Sequence, residues 1–228
     1  PLYEYKVELI RDGKVIDEKT GRFAFREVKL EQSPTSKDTI GYRFIINGVP
    51  VFIKGSNWTP AECFIGSIKD EKYYNLIKKA KAANFNMLRV WGGGIYEKDV
   101  FYDICDNLGI LVWQDFMFAC ADIPEDNAEF IANVKREVTY QVKRLRNHPS
   151  IVYWCGGNEK TGTYGLQISR GDYFVDVFLR GLILNLDESR PYARQSPCSL
   201  TDVGNDKTTG ESHAGCFEAC LERGIEYY

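Results

Sequence analysis

The chain of 228 residues lacks the features that mark several classes of protein. Lysine and arginine total 29 against 32 acidic residues, so the net charge is −3 and there is no basic footprint for nucleic acid. No apolar run approaches the roughly 18 to 20 residues of a membrane span. We therefore expect neither a nucleic-acid nor a membrane partner. No signal peptide is visible, but the chain opens at Pro1 within a strand pattern, as expected for part of a longer protein.

The seven cysteines form no CxxC pair. An odd, scattered set argues against a disulfide framework. We expect four of them in core or barrel-strand surroundings: Cys105, Cys120, Cys155 and Cys198. The spacing of His213, Cys216 and Cys220 could suit a metal, but no fourth ligand of the usual type lies nearby. We expect no metal and no other cofactor.

The first part of the chain alternates apolar and polar residues. This period of two predicts a half-buried strand from Tyr3 to Leu9, and Asp12-Gly13 is a hairpin turn signal before a second strand at 14–19. A third strand is predicted over 22–31. Residues 1–42 therefore read as the last strands of an antiparallel sandwich.

The rhythm changes near residue 43, where a hairpin pairs 42–46 with 49–54 across Asn47-Gly48. Its second strand is the first of a series of strands that alternate with helices. Helical patterns cover 70–83, 97–108, 125–146 and 172–186, and apolar strands cover 87–91, 110–113, 151–155 and 192–196. Repeated strand and helix units of this kind predict parallel strands joined by right-handed crossovers.

Two architectures fit this pattern, an open doubly wound sheet and a (β/α)8 barrel. The open sheet would normally carry a glycine-rich phosphate turn after its first strand, and Gly55-Ser56-Asn57-Trp58 is no such turn. Gly92-Gly93-Gly94 follows the second strand, but Glu97 breaks the GxGxxG pattern. We therefore predict a partial TIM barrel over 43–228, with about five of the eight strands.

The predicted strand ends combine tryptophans with polar side chains. The tryptophans are Trp58, Trp91, Trp113 and Trp154, of which the last two are better explained as core. The polar residues are Asn57, Arg89, Asp115, Asn158 and Glu159. Because the carboxyl ends of barrel strands share one rim, this mixture suggests a saccharide pocket. The alternative for Glu159 is a carboxylate that stabilises the start of a helix.

Four of these segments resemble successive barrel strands of glycoside hydrolase family 2. They are Ile53-Lys54-Gly55-Ser56-Asn57-Trp58-Thr59-Pro60, the run from Asn86 to Glu97, the run from Gly109 to Phe116, and the run from Asn147 to Glu159. The second segment has the form typical of β-mannosidases. The family sets an immunoglobulin-like sandwich before its barrel, so the resemblance implies that residues 1–42 are the end of such a sandwich.

The resemblance implies a retaining exo-β-glycosidase that acts on a carbohydrate, most readily a β-mannoside. Glu159 matches the general acid/base and Asn158 the residue that binds the sugar 2-hydroxyl. The other expected substrate contacts are Asn57, Trp58, Arg89, Trp91, Asp115 and His213. The nucleophile belongs at the end of strand seven, beyond this chain, so we expect the chain alone to be inactive.

Two departures bear on the sugar. Gly156-Gly157-Asn158-Glu159 stands where the mannosidase form reads Gly-Asn-Asn-Glu, and the segment around His213 lacks the family's aromatic residues. Another family 2 glycosidase, of the β-galactosidase or β-glucuronidase type, is therefore an alternative, as is a non-catalytic carbohydrate-binding relative. The run that begins at Trp91 favours the mannosidase, and the intact pair Asn158-Glu159 argues against the non-catalytic relative.

Overall fold

A computed structural model describes residues 1–160, 171–201, 206 and 208–213. The strands are β1 Tyr3–Arg11, β2 Lys14–Phe23, β3 Val28–Glu31, β4 Arg43–Ile46, β5 Val49–Val51, β6 Gly55–Trp58, β7 Met87–Val90, β8 Leu111–Asp115, β9 Ile151–Cys155 and β10 Tyr192–Ala193. The helices are α1 Asp70–Ala82, α2 Asp99–Leu108, α3 Ala128–Leu145 and α4 Arg180–Leu186. A π-helical segment, Phe174–Leu179, runs directly into α4. No helix in these ranges is long and apolar enough to cross a membrane.

Strands β1 and β2 form an exposed antiparallel hairpin. Asp12 and Gly13 connect them with φ of 51° and 74°, the left-handed conformation that a two-residue hairpin turn requires. This hairpin confirms the first two predicted strands.

The single third strand predicted over 22–31 is wrong. β2 continues to Phe23, and β3 starts only at Val28 and pairs with β4, which pairs in turn with β5. The physical reason is burial, because Val28 and Phe44 pack with Met87 and Tyr153 of the parallel sheet. The three-stranded sheet thus covers part of the barrel strands.

The five parallel strands lie side by side in chain order, from β6 to β10. A doubly wound sheet reverses its strand order at a switch point, and this sheet has no reversal. The helices pack against one face, in a core that includes Leu88, Val90, Val112 and Trp154. The predicted barrel segment is therefore confirmed in its parallel sheet, with β6 starting at Gly55 rather than in the preceding hairpin.

α1 begins at Asp70 as predicted, whereas α2 and α3 begin slightly later than their patterns predict. α2 starts at Asp99 because Glu97 faces the core, and α3 starts after Asn127, whose side chain accepts a hydrogen bond from the Phe130 amide. α2 ends at Gly109, with φ of 66°.

The strand register decides which side chains face the inside of the sheet. Asn57 pairs with Arg89, Arg89 with Trp113, and Trp113 with Tyr153, so these four form one inward row. A register shift between Val112 and Trp113 keeps Tyr153 in this row.

Candidate active site

An ion pair between Arg89 and Asp115 forms the base of the site, at the carboxyl ends of β7 and β8. Arg89 donates from Nη2 to Asp115 Oδ2 at 2.8 Å and from Nε to both carboxylate oxygens at 3.2 Å. Trp113 Nε1 and the Gly92 amide also donate to Asp115, at 2.9 and 3.0 Å. Burial lowers the pKa of Arg89, but the Asp115 carboxylate outweighs it and holds that pKa above its usual value.

Asn158 and Glu159 follow β9 in an extension of the sheet. The Asn158 amide donates to the Phe118 carbonyl at 2.8 Å, and the Glu159 amide donates to the Ser196 carbonyl at 2.8 Å. Gly157 has φ of 151°, and an added Cβ there would lie 2.4 Å from the Phe118 carbonyl oxygen. This close approach between Gly157 and the Phe118 carbonyl explains why glycine precedes the Asn158-Glu159 pair. Glu159 itself has φ of 50°.

Two further contacts connect Asn158 and Glu159 to the rest of the rim. Arg89 Nη2 donates to Asn158 Oδ1 at 3.0 Å, and His213 Nδ1 lies 2.8 Å from Glu159 Oε1. His213 Nε2 lies 2.9 Å from Ser196 Oγ and 3.5 Å from Arg89 Nη1. One network of side chains thus contains five of the predicted site residues: Arg89, Asp115, Asn158, Glu159 and His213.

Cys120 contacts both members of the Asn-Glu pair. Its Sγ accepts from Asn158 Nδ2 at 3.5 Å and lies 3.7 Å from Glu159 Oε2. The expectation that Cys120 is a core residue is wrong, because it lies exposed on a loop with φ of 56°. Cys105 and Cys155 are buried as expected, and Cys198 is half-buried.

Glu211, two residues before His213, is half-buried and hydrogen bonds to Ser196. Burial raises the pKa of Glu211 to about 7, against the Ser196 hydrogen bond and the Arg89 charge, which lower it, while Asp115 raises it further. A carboxyl group with this pKa changes charge near neutral pH.

Trp58 points away from this rim. Its ring lies 4.8 Å from Phe101 and 6.2 Å from Tyr73 between ring centroids, and its Nε1 donates to Glu97 Oε1 at 2.9 Å. Glu97 also accepts from the Tyr73 hydroxyl at 2.6 Å. The predicted sugar contact of Trp58 is not favoured, because β6 turns its side chain toward the helices.

Asn57 and Trp91 lie closer to the expected place. Asn57 is exposed and is the strand partner of Arg89 on the inward side. Trp91 follows β7, and an added Cβ at Gly93 would lie 2.0 Å from its ring. Gly93 therefore provides the space that the half-buried indole occupies. Sugar contacts by these two residues stay predictions.

Three residues of the network are absent from the sequence prediction: Cys120, Ser196 and Glu211. Ser196 ends the predicted fifth strand, so the strand-end argument that selected the other polar residues could have selected it too. The other two occupy loops without a motif, and only the folded chain brings them to Glu159.

Cys216 and Cys220, whose spacing from His213 could suit a metal, lie outside the described residues. Within the described ranges, one cluster has potential metal ligands close together, beside the start of β9 rather than at the Glu159 rim: Asp103, Asp106 and His148.

The chain resembles known glycosidases over most of its length. The model of the Glycosyl hydrolases family 2, TIM barrel domain matches residues 39–203. The β-mannosidase of Capra hircus is 40% identical over 222 residues, which cover 92% of this chain and 25% of that protein. The chain therefore spans about a quarter of the length of the curated relatives it matches.

Solved structures agree with this assignment. The β-D-mannosidase of Dictyoglomus thermophilum is 43% identical, with a TM-score of 0.84 over 92% of this chain and 27% of that one. Bacteroides uniformis β-glucuronidase 3 shares the fold, with 24% identity and a TM-score of 0.67 over 84% of this chain and 23% of that one. The inward network at the strand ends, the parallel strand order and the family match lead to one conclusion: this chain belongs to glycoside hydrolase family 2, as part of its TIM barrel domain.

Proposed function

We propose that a full-length protein containing this chain is a retaining exo-β-glycosidase that removes terminal β-mannosides, with Glu159 as the general acid/base. The observation that carries the proposal is the position of Glu159, whose carboxylate reaches His213 at a rim that also holds Arg89 and Asn158. The β-mannosidase relatives at about 40% identity support mannose as the sugar.

In a retaining mechanism Glu159 would act twice. It would first donate a proton to the leaving oxygen while a second carboxylate, about 5 to 5.5 Å away, attacks the sugar. It would then accept a proton from the water that releases the sugar. An imidazole at 2.8 Å suits both steps, because it can accept a hydrogen bond from the acid or donate one to the carboxylate.

Asp115 is a poor candidate for the attacking carboxylate. Its side chain is fully buried, and donors from Arg89, Trp113 and Gly92 surround both of its oxygens. A nucleophile must reach the sugar, so we propose that Asp115 orients Arg89 instead. We assign no nucleophile among the described residues.

The amide of Asn158 is suited to bind the sugar. Arg89 donates to its Oδ1, which fixes the amide so that Nδ2 is the donor group beside Cys120. We propose that Nδ2 donates to the 2-hydroxyl. We further propose that Asn57 and Trp91 complete the pocket, Asn57 as a polar contact and Trp91 as an apolar surface for the sugar.

We also propose that residues 1–42 belong to an immunoglobulin-like sandwich and residues 43–228 to the barrel domain. The exposed apolar side chains of the hairpin support this division, among them Val7, Leu9, Ile10 and Ile16, because an isolated two-stranded hairpin is marginally stable. The pairing of β3 with β4 crosses residue 42, so this boundary would join the two parts tightly.

Kinetics of the full-length protein would test the function. We expect the highest kcat/KM on an aryl β-mannoside within a panel that includes the β-galactoside and the β-glucuronide. Glu159→Gln should lower kcat/KM by about 10²- to 10⁴-fold on a substrate with a poor leaving group and much less on a dinitrophenyl glycoside, which needs little protonation.

The matched control is Glu129→Gln, which removes an exposed carboxylate from α3 and should leave both rates unchanged. An equal loss on both substrates in Glu159→Gln would contradict the acid/base role. A preference for the galactoside or the glucuronide would change the sugar assigned to the enzyme. Saturable sugar binding without turnover would favour the non-catalytic relative.

A further inference from the structure

A chain of hydrogen bonds runs from Glu159 into the protein. Its first link is the 2.8 Å contact with His213 Nδ1, and its second is the 2.9 Å contact between His213 Nε2 and Ser196 Oγ. The third link joins Ser196 to the carboxyl group of Glu211. The four side chains come from three separate segments.

Glu211 is held firmly at the inner end. Its amide and carbonyl pair with the backbone of Cys198, at 2.9 and 3.2 Å. Its Oε1 is shielded from solvent and has no hydrogen-bond partner among the described residues. Among the described residues, the charged or titratable groups that act on Glu211, or on which it acts, include Arg89, Asp115, Tyr42, Cys155 and Cys198.

We propose that Glu211 is a positioning residue for Glu159, because its charge state selects, through Ser196, which ring nitrogen of His213 carries the proton. This inference rests on the proposed acid/base function of Glu159. Glu211 touches neither substrate nor reacting atoms, and its effect is on the hydrogen bond that Glu159 makes.

Because each group can donate or accept only a limited number of hydrogen bonds, the donors along this hydrogen-bond chain can point in one of two directions. When Glu211 is ionised, it accepts a hydrogen bond from the Ser196 hydroxyl, and the Ser196 oxygen accepts one from Nε2–H of His213. Nδ1 of His213 then carries no proton, so it is an acceptor that favours protonated Glu159. When Glu211 is neutral it donates to Ser196, Ser196 donates to Nε2, and Nδ1–H donates to the Glu159 carboxylate. A hydroxyl has a single proton and a neutral imidazole has one N–H, so one link sets the others.

The two directions match the two chemical steps. The first suits the acid form of Glu159, which glycosidic bond cleavage needs, and the second suits the carboxylate, which water activation needs. A Glu211 that changes charge near pH 7 keeps both directions accessible. Arg89 Nη1, 3.5 Å from His213 Nε2, adds a weak bias toward the second direction.

The test reads the His213 tautomer directly, by ¹⁵N NMR of histidine-labelled 228-residue chain at pH 8. The chain has two histidines, so His213→Gln assigns the signals. Ionised Glu211 should favour Nε2–H in wild type at this pH. Glu211→Met removes the acceptor for Ser196 and should raise the ratio of Nδ1–H to Nε2–H by about fivefold to tenfold, the size of one hydrogen bond.

Ser196→Ala is the second variant, which disconnects Glu211 from His213 without touching the buried carboxyl group. It should shift the tautomer ratio in the same direction, and it decides the question if Glu211→Met does not fold. A tautomer ratio unchanged in a folded Glu211→Met, or in Ser196→Ala where the first variant fails to fold, would overturn the proposal. Glu129→Gln should leave the ratio unchanged.

A kinetic measurement on the full-length protein adds a readout that a merely structural role would not move. The basic limb of the pH profile of kcat/KM reports the loss of the proton from Glu159. Both variants should move that limb to lower pH by about one unit, since each favours the carboxylate of Glu159. A lower rate with an unmoved limb would overturn the inference. Absence of glycoside hydrolysis in wild type would refute the proposed function alone, and the NMR result would still decide the tautomer.

Discussion

Two buried arginine–aspartate pairs lie at opposite ends of the parallel sheet, and their partners differ in kind. Arg190, which pairs with Asp187 before β10, gives three of its N–H groups to backbone carbonyls, those of Ile151, Arg146 and His148, at 2.6 to 2.9 Å. Its one other side-chain acceptor among the described residues is Ser189 Oγ, next to it in the sequence, at 3.2 Å. It therefore ties together the loop that precedes β9 and the loop that precedes β10.

Arg89, at the carboxyl end, gives its N–H groups to side chains instead. Asp115 and Asn158 accept from it, and His213 lies at its third nitrogen. Burial and pairing alone therefore do not distinguish an arginine that fixes the backbone from one that orients other side chains. Backbone acceptors fix the path of the chain, whereas side-chain acceptors fix groups that can face a ligand.

The largest expected effect is on stability, at the Arg190–Asp187 pair near the amino ends of the parallel strands. Asp187→Ala should lower the free energy of unfolding by about 3–5 kcal/mol, because it leaves Arg190 buried without its counter-charge. Urea unfolding of the chain measures this change. In the full-length protein the folded variant should keep kcat/KM within about threefold of wild type; a larger loss would mean that this pair also shapes the site.

The next effect is on the pH dependence of stability, which should have opposite signs for Glu211 at the carboxyl end of the sheet and for Asp187 at the amino end. The pKa of Glu211 is raised to about 7, so its stabilising contribution is complete below its unfolded pKa of about 4.5 and is lost as pH rises through 7, a change of about 3 kcal/mol. Asp187 has the opposite sign: burial raises its pKa, but Arg190 and hydrogen bonds hold it below its usual value, so its contribution is lost only in acid.

Urea unfolding of wild type between pH 5 and pH 8 tests this contrast. Stability should fall toward pH 8, and Glu211→Gln should flatten the slope because the amide does not titrate. The same slope in Glu211→Gln would assign the pH dependence to another group.

A smaller effect is expected from Arg89→Lys in the full-length protein. Lysine keeps the charge but cannot contact Asp115 and Asn158 together as the planar guanidinium does. We expect kcat/KM to fall by about 10- to 100-fold with a smaller change in thermal stability. Arg190→Lys is the matched control and should show the reverse, a larger loss of stability with kcat/KM nearly unchanged.

The smallest effect concerns Trp58. Trp58→Phe removes one hydrogen bond to Glu97 but keeps an aromatic ring against Phe101, so the free energy of unfolding should drop by about 1–2 kcal/mol. The activity of the full-length protein should stay unchanged. A large rise in KM would show that Trp58 contacts the sugar after all.

Much of the fold could be predicted from the sequence. The alternation of apolar and polar residues predicted the hairpin of β1 and β2. Short apolar runs between helical patterns predicted the parallel strands from β7 to β10. The pairing of β3 with β4 could not be predicted, because its apolar residues fit either an extended hairpin sheet or the underside of the barrel, and only packing against Met87 and Tyr153 decides between them.

The site was predictable where residues directly follow strands, as Asn158 and Glu159 do. The orientation of Trp58 was not, because Gly55-Ser56-Asn57-Trp58 has no apolar alternation to show which residue faces in. Glu211 was beyond reach for another reason: burial and Asp115 of β8 raise its pKa, while Ser196 and Arg89 of β7 lower it, and none of these residues is near Glu211 in the sequence.

The register shift in β9 has a consequence for how the length of this strand can change. Val112 pairs with Ile151 and Trp113 with Tyr153, so Val152 is the residue that the neighbouring strand does not match. Deleting Val152 would cost packing but would leave Tyr153, and the approach to Asn158 and Glu159, on the same side. Deleting Trp154 instead would reverse the facing of everything beyond it. A deletion can therefore be accommodated within this strand at one position, below the candidate site, without turning Asn158 and Glu159 away from the rim.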